Sequence, residues 1–152
     1  MHDASSTWAA PCVPVAAGLF EGTGAHTRLL GTRCTGCATV YFPRAQACRN
    51  PACPRGPLDD VALPREGRLY SYTVQAYRPP PLFRMDDWAP YALGLVDLPG
   101  GLRVMGMLTG CSSEDIRIGM PVAVTTGVLY RDAQGREVLT YQFCPAGTGA
   151  DE

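Results

Sequence analysis

The alternation of apolar and polar positions beyond residue 63 predicts a series of β-strands. In segment 67–77 every second side chain would lie on the same face, with Leu69 opposite Tyr70 and Tyr72. Glycine, proline and short polar runs separate this segment from four later ones with a similar pattern. The predicted strands are 67–77, Tyr91–Leu98, Leu102–Leu108, Pro121–Arg131 and 136–144.

The order of these elements indicates a small closed barrel. The turn Pro99-Gly100-Gly101 suits a tight hairpin between the second and third strands. The segment 112–116, which begins with Ser112 and Ser113, has a capping serine and early acidic residues and so predicts one helical turn. Three strands, a helical turn and a two-strand hairpin are the element order of an OB-fold, a five-stranded barrel.

The N-terminal third has a different composition, which divides the chain. We expect a tail and a short helical segment of one or two turns in 1–30, a zinc ribbon in 31–62, the OB-fold in 63–146 and a disordered tail in 147–152. The segment 31–57 is rich in Cys, Pro, Arg and Gly but poor in aliphatic residues, too poor to form a core without a metal. The whole is expected to be mainly β.

Charge and hydropathy narrow the choice of partner and compartment. The formal net charge is −1, which gives no overall electrostatic reason to expect nucleic acid. No apolar run approaches the length of a membrane span, and the N-terminus lacks the pattern of a signal peptide. With cysteines that cluster as metal ligands do, the chain is expected to be cytoplasmic.

Four cysteines have the spacing of a metal site. Cys34, Cys37, Cys48 and Cys53 form a C-x2-C-x10-C-x4-C array, and two such knuckles can hold one tetrahedral zinc ion. Four thiolates leave no open coordination position, so the zinc would be structural. Iron remains an alternative metal. A redox dithiol is disfavoured, since it would need only one C-x-x-C pair.

The remaining cysteines and histidines give weaker signals. Cys12, Cys111 and Cys144 lie far from the array in sequence and are interpreted as small buried apolar residues. His2 lies in the tail, and His26 could be a further ligand or a base but fits a surface position better. A histidine-dependent catalytic triad is therefore poorly supported.

Segment 78–91 is a proline-rich loop with exposed anchors. It carries Arg78, Arg84, Phe83, Trp88 and Tyr91 among consecutive prolines that cannot donate ladder hydrogen bonds. Arginine and aromatic side chains on a stiff loop are typical of protein interfaces and ligand lids. A loop that folds back over the barrel end is the competing interpretation.

The cysteine array, the segment Tyr41-Phe42-Pro43-Arg44 and the segment Ile118-Gly119-Met120-Pro121-Val122 together resemble one family. This is the zinc-ribbon plus OB-fold family known as domain of unknown function 35, and the resemblance covers about residues 15–145. The chain departs from it at Ala38, where the family usually has glycine, and in its longer second knuckle.

The resemblance implies an accessory role. Members of the family are typically partners of thiolase-like and lipid-transfer-protein-like enzymes acting on acyl-CoA, including retro-aldol cleavage of steroid side-chain CoA esters. On this basis the chain would bind such an enzyme in a hetero-oligomer and would help to hold acyl-CoA. The residues expected at the partner or acyl-CoA contact are Arg44, Arg78, Arg84, Trp88 and Tyr91.

Three alternatives stay open at this point. Zinc ribbons and OB-folds also occur in nucleic-acid-binding proteins, where aromatic side chains stack on bases. The chain could support an acyltransferase or acetoacetyl-CoA complex instead of an aldolase. It could also be an independent enzyme that uses Asp86, Asp87 or Tyr72 as acid–base groups, although paired acids in a loop are usually solvated.

Overall fold

The computed structural model describes residues 12–53, 56–77 and 89–146, and these residues contain ten β-strands. The strands are β1 (Cys12–Pro14), β2 (Phe20–Glu21), β3 (Arg28–Cys34), β4 (Val40–Tyr41), β5 (Leu58–Ala62), β6 (Glu66–Gln75), β7 (Tyr91–Leu98), β8 (Leu102–Leu108), β9 (Pro121–Arg131) and β10 (Glu137–Pro145). Within the described residues the helical elements are two 3-10 turns, Gly24–His26 and Ser113–Asp115.

The last five strands close into the predicted barrel. Their order is β10-β8-β7-β6-β9, and β9 pairs with β10 to complete the ring. All neighbours are antiparallel except β10 and β8, which run parallel, with Phe143 opposite Leu108. The prediction of a mainly β chain with a five-stranded OB-fold barrel is therefore confirmed.

Side chains from alternate positions of the strands fill the barrel interior. Along β7, Ala92, Gly94, Val96 and Leu98 are buried and the residues between them are half-buried. The rings of Phe143 and Tyr141 pack directly against Gly106 of β8, and a Cβ at this position would lie 2.9 Å from atoms of both rings. A glycine is needed at this position because the space is already occupied by aromatic carbon atoms.

The barrel is open along the second half of β6. It pairs with β9 only through Glu66–Arg68, whereas its pairing with β7 continues to Gln75. An irregularity between Leu69 and Ser71 shifts the register, as a β-bulge does. Beyond that point Tyr72 and Val74 are exposed.

The segment before the ribbon is mostly extended. We expected one or two short helical turns within 13–30, and the structure has a single 3-10 turn at Gly24–His26 between β2 and β3. The β1 strand pairs in parallel with β10, with Val13 opposite Val138, so this part of the chain lies on the barrel. Because β1 is stabilised by a strand distant in sequence, local pattern alone gives no sign of it.

The ribbon packs directly on the barrel. It is built from β3, with β4 and β5 on it as antiparallel partners. Arg65, between the two units, donates from Nε to the Thr27 carbonyl (2.9 Å) and from Nη2 to the Val124 carbonyl (2.6 Å). Phe42 stacks edge-on against Tyr141 at 5.6 Å between ring centroids. Charge-assisted and aromatic contacts thus fix the ribbon against β9 and β10.

The second 3-10 turn forms where it was predicted, but Ser112 does not cap it. The side chain of Ser112 makes no bond to a backbone N–H of the turn, and its hydroxyl donates to the Asp115 carboxylate at 3.0 Å. A capping hydroxyl would accept a backbone N–H of the turn, and that bond is absent, so the prediction of a capping serine side chain was wrong. In the described part of the chain, no helix has the length and apolarity needed to span a membrane.

Candidate metal centre

Two knuckles bring the four predicted cysteines together. Cys34 ends β3 and Cys37 follows in the turn, while Cys48 and Cys53 lie in the loop between β4 and β5. All four Sγ atoms lie within 4.8 Å of one another, with 3.4 Å between Cys34 and Cys53 and 3.7 Å between Cys37 and Cys48. Of the four, only Cys37 is not fully buried.

This geometry fits a tetrahedral zinc ion. A Zn–S bond of about 2.3 Å implies sulfur–sulfur edges of about 3.8 Å, which is the scale of the observed separations. None of the four cysteines forms a disulfide. Four thiolates close the coordination sphere, so the group they would hold is structural: it would fix the two knuckles and offer no site to a substrate. The prediction of a ribbon in which these four cysteines cluster is confirmed, and their role as metal ligands stays a prediction.

Hydrogen bonds stabilise the thiolate forms. The Gly36 amide donates to Cys34 Sγ at 3.3 Å, and the pKa of Cys34 is lowered by backbone N–H donors, chiefly that of Cys37. The hydroxyl of Thr39 lies 3.1 Å from Cys37 Sγ and is the main reason why the pKa of that thiol falls to about 6. Donors aimed at sulfur favour the anion that binds metal.

Tyr41 is a contact of the site that sequence reasoning missed. Its hydroxyl lies 3.3 Å from Cys48 Sγ and accepts the Arg49 amide proton at 2.8 Å. The guanidinium of Arg49 lies over the Tyr41 ring, 4.8 Å from its centroid. The bond to Cys48 is also the main cause of the raised pKa of Tyr41. A tyrosine between two cysteine knuckles was the only signal in the sequence.

Ala38 adopts a backbone conformation that favours glycine. Its φ is +65°, in the left-handed region, and within the described ranges it is the only residue other than glycine with a positive φ. Its amide donates to the Cys34 carbonyl at 2.8 Å and so closes the first knuckle. The conformation explains why glycine would suit this position.

The other cysteines and the described histidine lie apart from the site. Cys12, Cys111 and Cys144 are half-buried, and burial is the main reason why the pKa of each is raised. A raised pKa makes them poor nucleophiles at neutral pH, as expected for structural cysteines. His26 is exposed in its 3-10 turn and is not among the four clustered ligands.

The predicted contact residues are placed separately. Arg44 is half-exposed in the ribbon, with its Nε 3.7 Å from the Asp60 carboxylate. Tyr91 begins β7 and lines a groove of about 610 Å³ between the start of β7 and the β9–β10 hairpin. Arg78, Arg84 and Trp88 lie outside the described residues.

A second hollow lies on the outer side of β6, β7 and β8. It has a volume of about 240 Å³ and is called here the β6–β8 hollow. Met105, at 55% exposure, is the most exposed large apolar side chain that lines it. Its walls are mainly apolar, from Ser71, Tyr72, Thr73, Gln75, Leu93, Gly94, Leu95 and Met105.

Two family models match consecutive parts of the chain. Residues 24–59 match the rubredoxin-like zinc ribbon domain of ChsH2, and residues 60–127 match its C-terminal OB-fold domain. A DUF35 domain-containing scaffold protein of Methanocaldococcus jannaschii is 33% identical over 76% of this chain and 78% of its own length. The chain belongs to the DUF35 family. The resemblance stated from the sequence is thereby confirmed.

Two further relatives are named as parts of enzymes. The benzoylsuccinyl-CoA thiolase subunit BbsA of Thauera aromatica is 30% identical over 76% of this chain and 74% of its own length. A solved structure titled Ltp2-ChsH2(DUF35) aldolase has a chain that is 34% identical, with a TM-score of 0.59, covering 78% of this chain and 85% of that one. The chain is thus similar to a thiolase subunit and to a chain of an aldolase.

Proposed function

We propose that this DUF35 protein is an accessory subunit that binds and supports a thiolase-like enzyme acting on acyl-CoA carbon–carbon bonds. The observation that carries the proposal is its similarity, over most of the chain, to a thiolase subunit and to a chain of an aldolase named for two proteins. The closed sulfur site agrees with this role, because it supplies structure and leaves no coordination position for substrate.

As the reaction of the complex we propose retro-aldol cleavage of steroid side-chain CoA esters. The support is the aldolase named in the structural comparison. The carbon–carbon chemistry is assigned to the partner, and this chain would supply shape and contacts. The cytoplasmic location expected from the sequence belongs to the same proposal.

The enzyme-binding surface is proposed to include the β6–β8 hollow. Its apolar walls and the exposed Met105 would be covered by the partner, as the apolar centre of a subunit interface is. Exchanging Met105 for Glu places a charge in that surface, whereas Val15→Glu makes the same change at an exposed apolar residue beside β1. Met105→Glu should abolish co-elution with the partner, and Val15→Glu should leave it intact.

The acyl-CoA contact is proposed at Tyr91 and Arg44, with Arg78, Arg84 and Trp88. The groove beside Tyr91 has room for part of a ligand, and the guanidinium of Arg44 matches the geometry of a phosphate. Calorimetric titration of the assembled complex with an acyl-CoA would test each residue. Tyr91→Ala and Arg44→Ala should each weaken binding, and unchanged affinity in both would refute these assignments.

The first test of the subunit role is co-expression with a thiolase-like protein encoded beside the gene. Size exclusion followed by metal analysis should give one peak that contains both chains and about one zinc per copy of this chain. Elution of the zinc-loaded chain by itself would count against the role. Turnover of acyl-CoA esters by this chain without a partner would also exclude a purely accessory function.

A further inference from the structure

We propose that Tyr41 is a positioning residue of the metal centre, whose hydroxyl donates to the Cys48 thiolate and controls how readily that ligand leaves the metal. The proposal rests on the four-cysteine site and is independent of the proposed enzyme partner. Outer-shell groups of this kind orient metal ligands and tune their reactivity.

The direction of the hydrogen bond follows from the contacts of the phenol oxygen. A cysteine that ligates zinc has lost its proton, so across the 3.3 Å separation only the Tyr41 hydroxyl can donate to Cys48 Sγ. The phenol oxygen also accepts the Arg49 amide proton at 2.8 Å, which leaves its own proton free for the sulfur. The backbone of the second knuckle thus fixes the orientation of this donor.

The arrangement is specific to one ligand. Tyr41 serves Cys48, while the hydroxyl of Thr39 lies 3.1 Å from Cys37 Sγ. Backbone amides also donate to these sulfur atoms, those of Gly36 and Cys37 to Cys34 and that of Asn50 to Cys48. A side-chain hydroxyl thus contacts one thiolate in each knuckle, that of Thr39 at Cys37 and that of Tyr41 at Cys48. The two hydroxyls can be removed by separate substitutions.

Tyr41→Phe and Thr39→Val form a crossed pair of variants. Each removes one hydroxyl, and Tyr41→Phe keeps the ring beneath the Arg49 guanidinium. The full-length, zinc-loaded chain would be treated with limiting N-ethylmaleimide, and the modified cysteines would be mapped by peptide mass spectrometry. Cys12, Cys111 and Cys144 provide an internal reference, because neither variant changes their surroundings.

A thiolate that loses a donor becomes more nucleophilic, so Tyr41→Phe should raise the modification rate of Cys48 about tenfold over its sister ligands. Thr39→Val should raise that of Cys37 instead. Tyr72→Phe, which removes a tyrosine hydroxyl from β6, should change neither. Replacement of zinc by cobalt gives a second readout, since only the first two variants should shift the sulfur-to-metal absorption band.

Two results would overturn the proposal. One is a Cys48 modification rate and a cobalt spectrum that Tyr41→Phe leaves unchanged. The other is an equal acceleration at all four ligands in both variants, which would mean general loosening of the ribbon in place of a specific bond. If Tyr41→Phe does not hold metal, unchanged Cys37 reactivity in Thr39→Val would equally overturn the hydroxyl–thiolate pairing.

Discussion

Replacing Ala38 by glycine should strengthen metal binding, although it removes a methyl group. With φ at +65°, Ala38 holds the first knuckle in a conformation that costs a residue with a Cβ about 1–2 kcal/mol. Glycine avoids that cost but loses about 0.5–1 kcal/mol of chain entropy on folding. The net gain is about 0.5–1 kcal/mol. Because metal binding and ribbon folding are coupled, this corresponds to roughly threefold tighter zinc binding.

Competition for zinc with a chromophoric chelator would measure the difference. Ala62→Gly is the matched control, because Ala62 is an exposed residue of β5 in the same ribbon. It lacks the positive φ of Ala38, which within the described residues is unique among non-glycine positions. The same substitution there should weaken zinc binding. The reasoning fails if Ala38→Gly weakens zinc binding as Ala62→Gly does.

Three further substitutions test the packing of the barrel core and the pH dependence of zinc binding. Phe143→Ala removes a completely buried ring and should lower the free energy of unfolding in urea by about 3–5 kcal/mol; a loss below 1 kcal/mol would contradict its place in the core. Gly106→Ala should cost about 1–3 kcal/mol in the same assay, because its Cβ meets the Phe143 and Tyr141 rings; an unchanged midpoint would show that the rings can move aside. Zinc binding needs the Cys37 thiolate, whose pKa of about 6 is due mainly to Thr39, so protons compete at this ligand only as the pH falls through about 6. Thr39→Val should raise that pKa and move the loss of zinc to higher pH in a dye-based titration; identical pH profiles would contradict the assignment.

Local sequence determined those features whose cause is local. The cysteines of each knuckle are close in the chain, so their spacing alone predicted that these four would cluster. Two-residue alternation predicted strands such as Tyr91–Leu98 because one face of each is buried in the barrel. The departure at Ala38 was visible in the sequence, but its left-handed φ was not.

The tertiary structure decided what depends on partners far along the chain. The β1 strand forms because the first residues of β10 extend beyond its pairing with β8 and leave one edge for another strand. Tyr41 was recognised at the metal site only from its distance to Cys48. Arg65 joins the ribbon to the barrel by donating hydrogen bonds to two carbonyls. One belongs to Thr27, just before β3, and the other to Val124 in β9. The periodicity and spacing of residues indicate which face of a segment is buried. Contacts such as these depend on how distant segments pack together, and no local pattern predicts them.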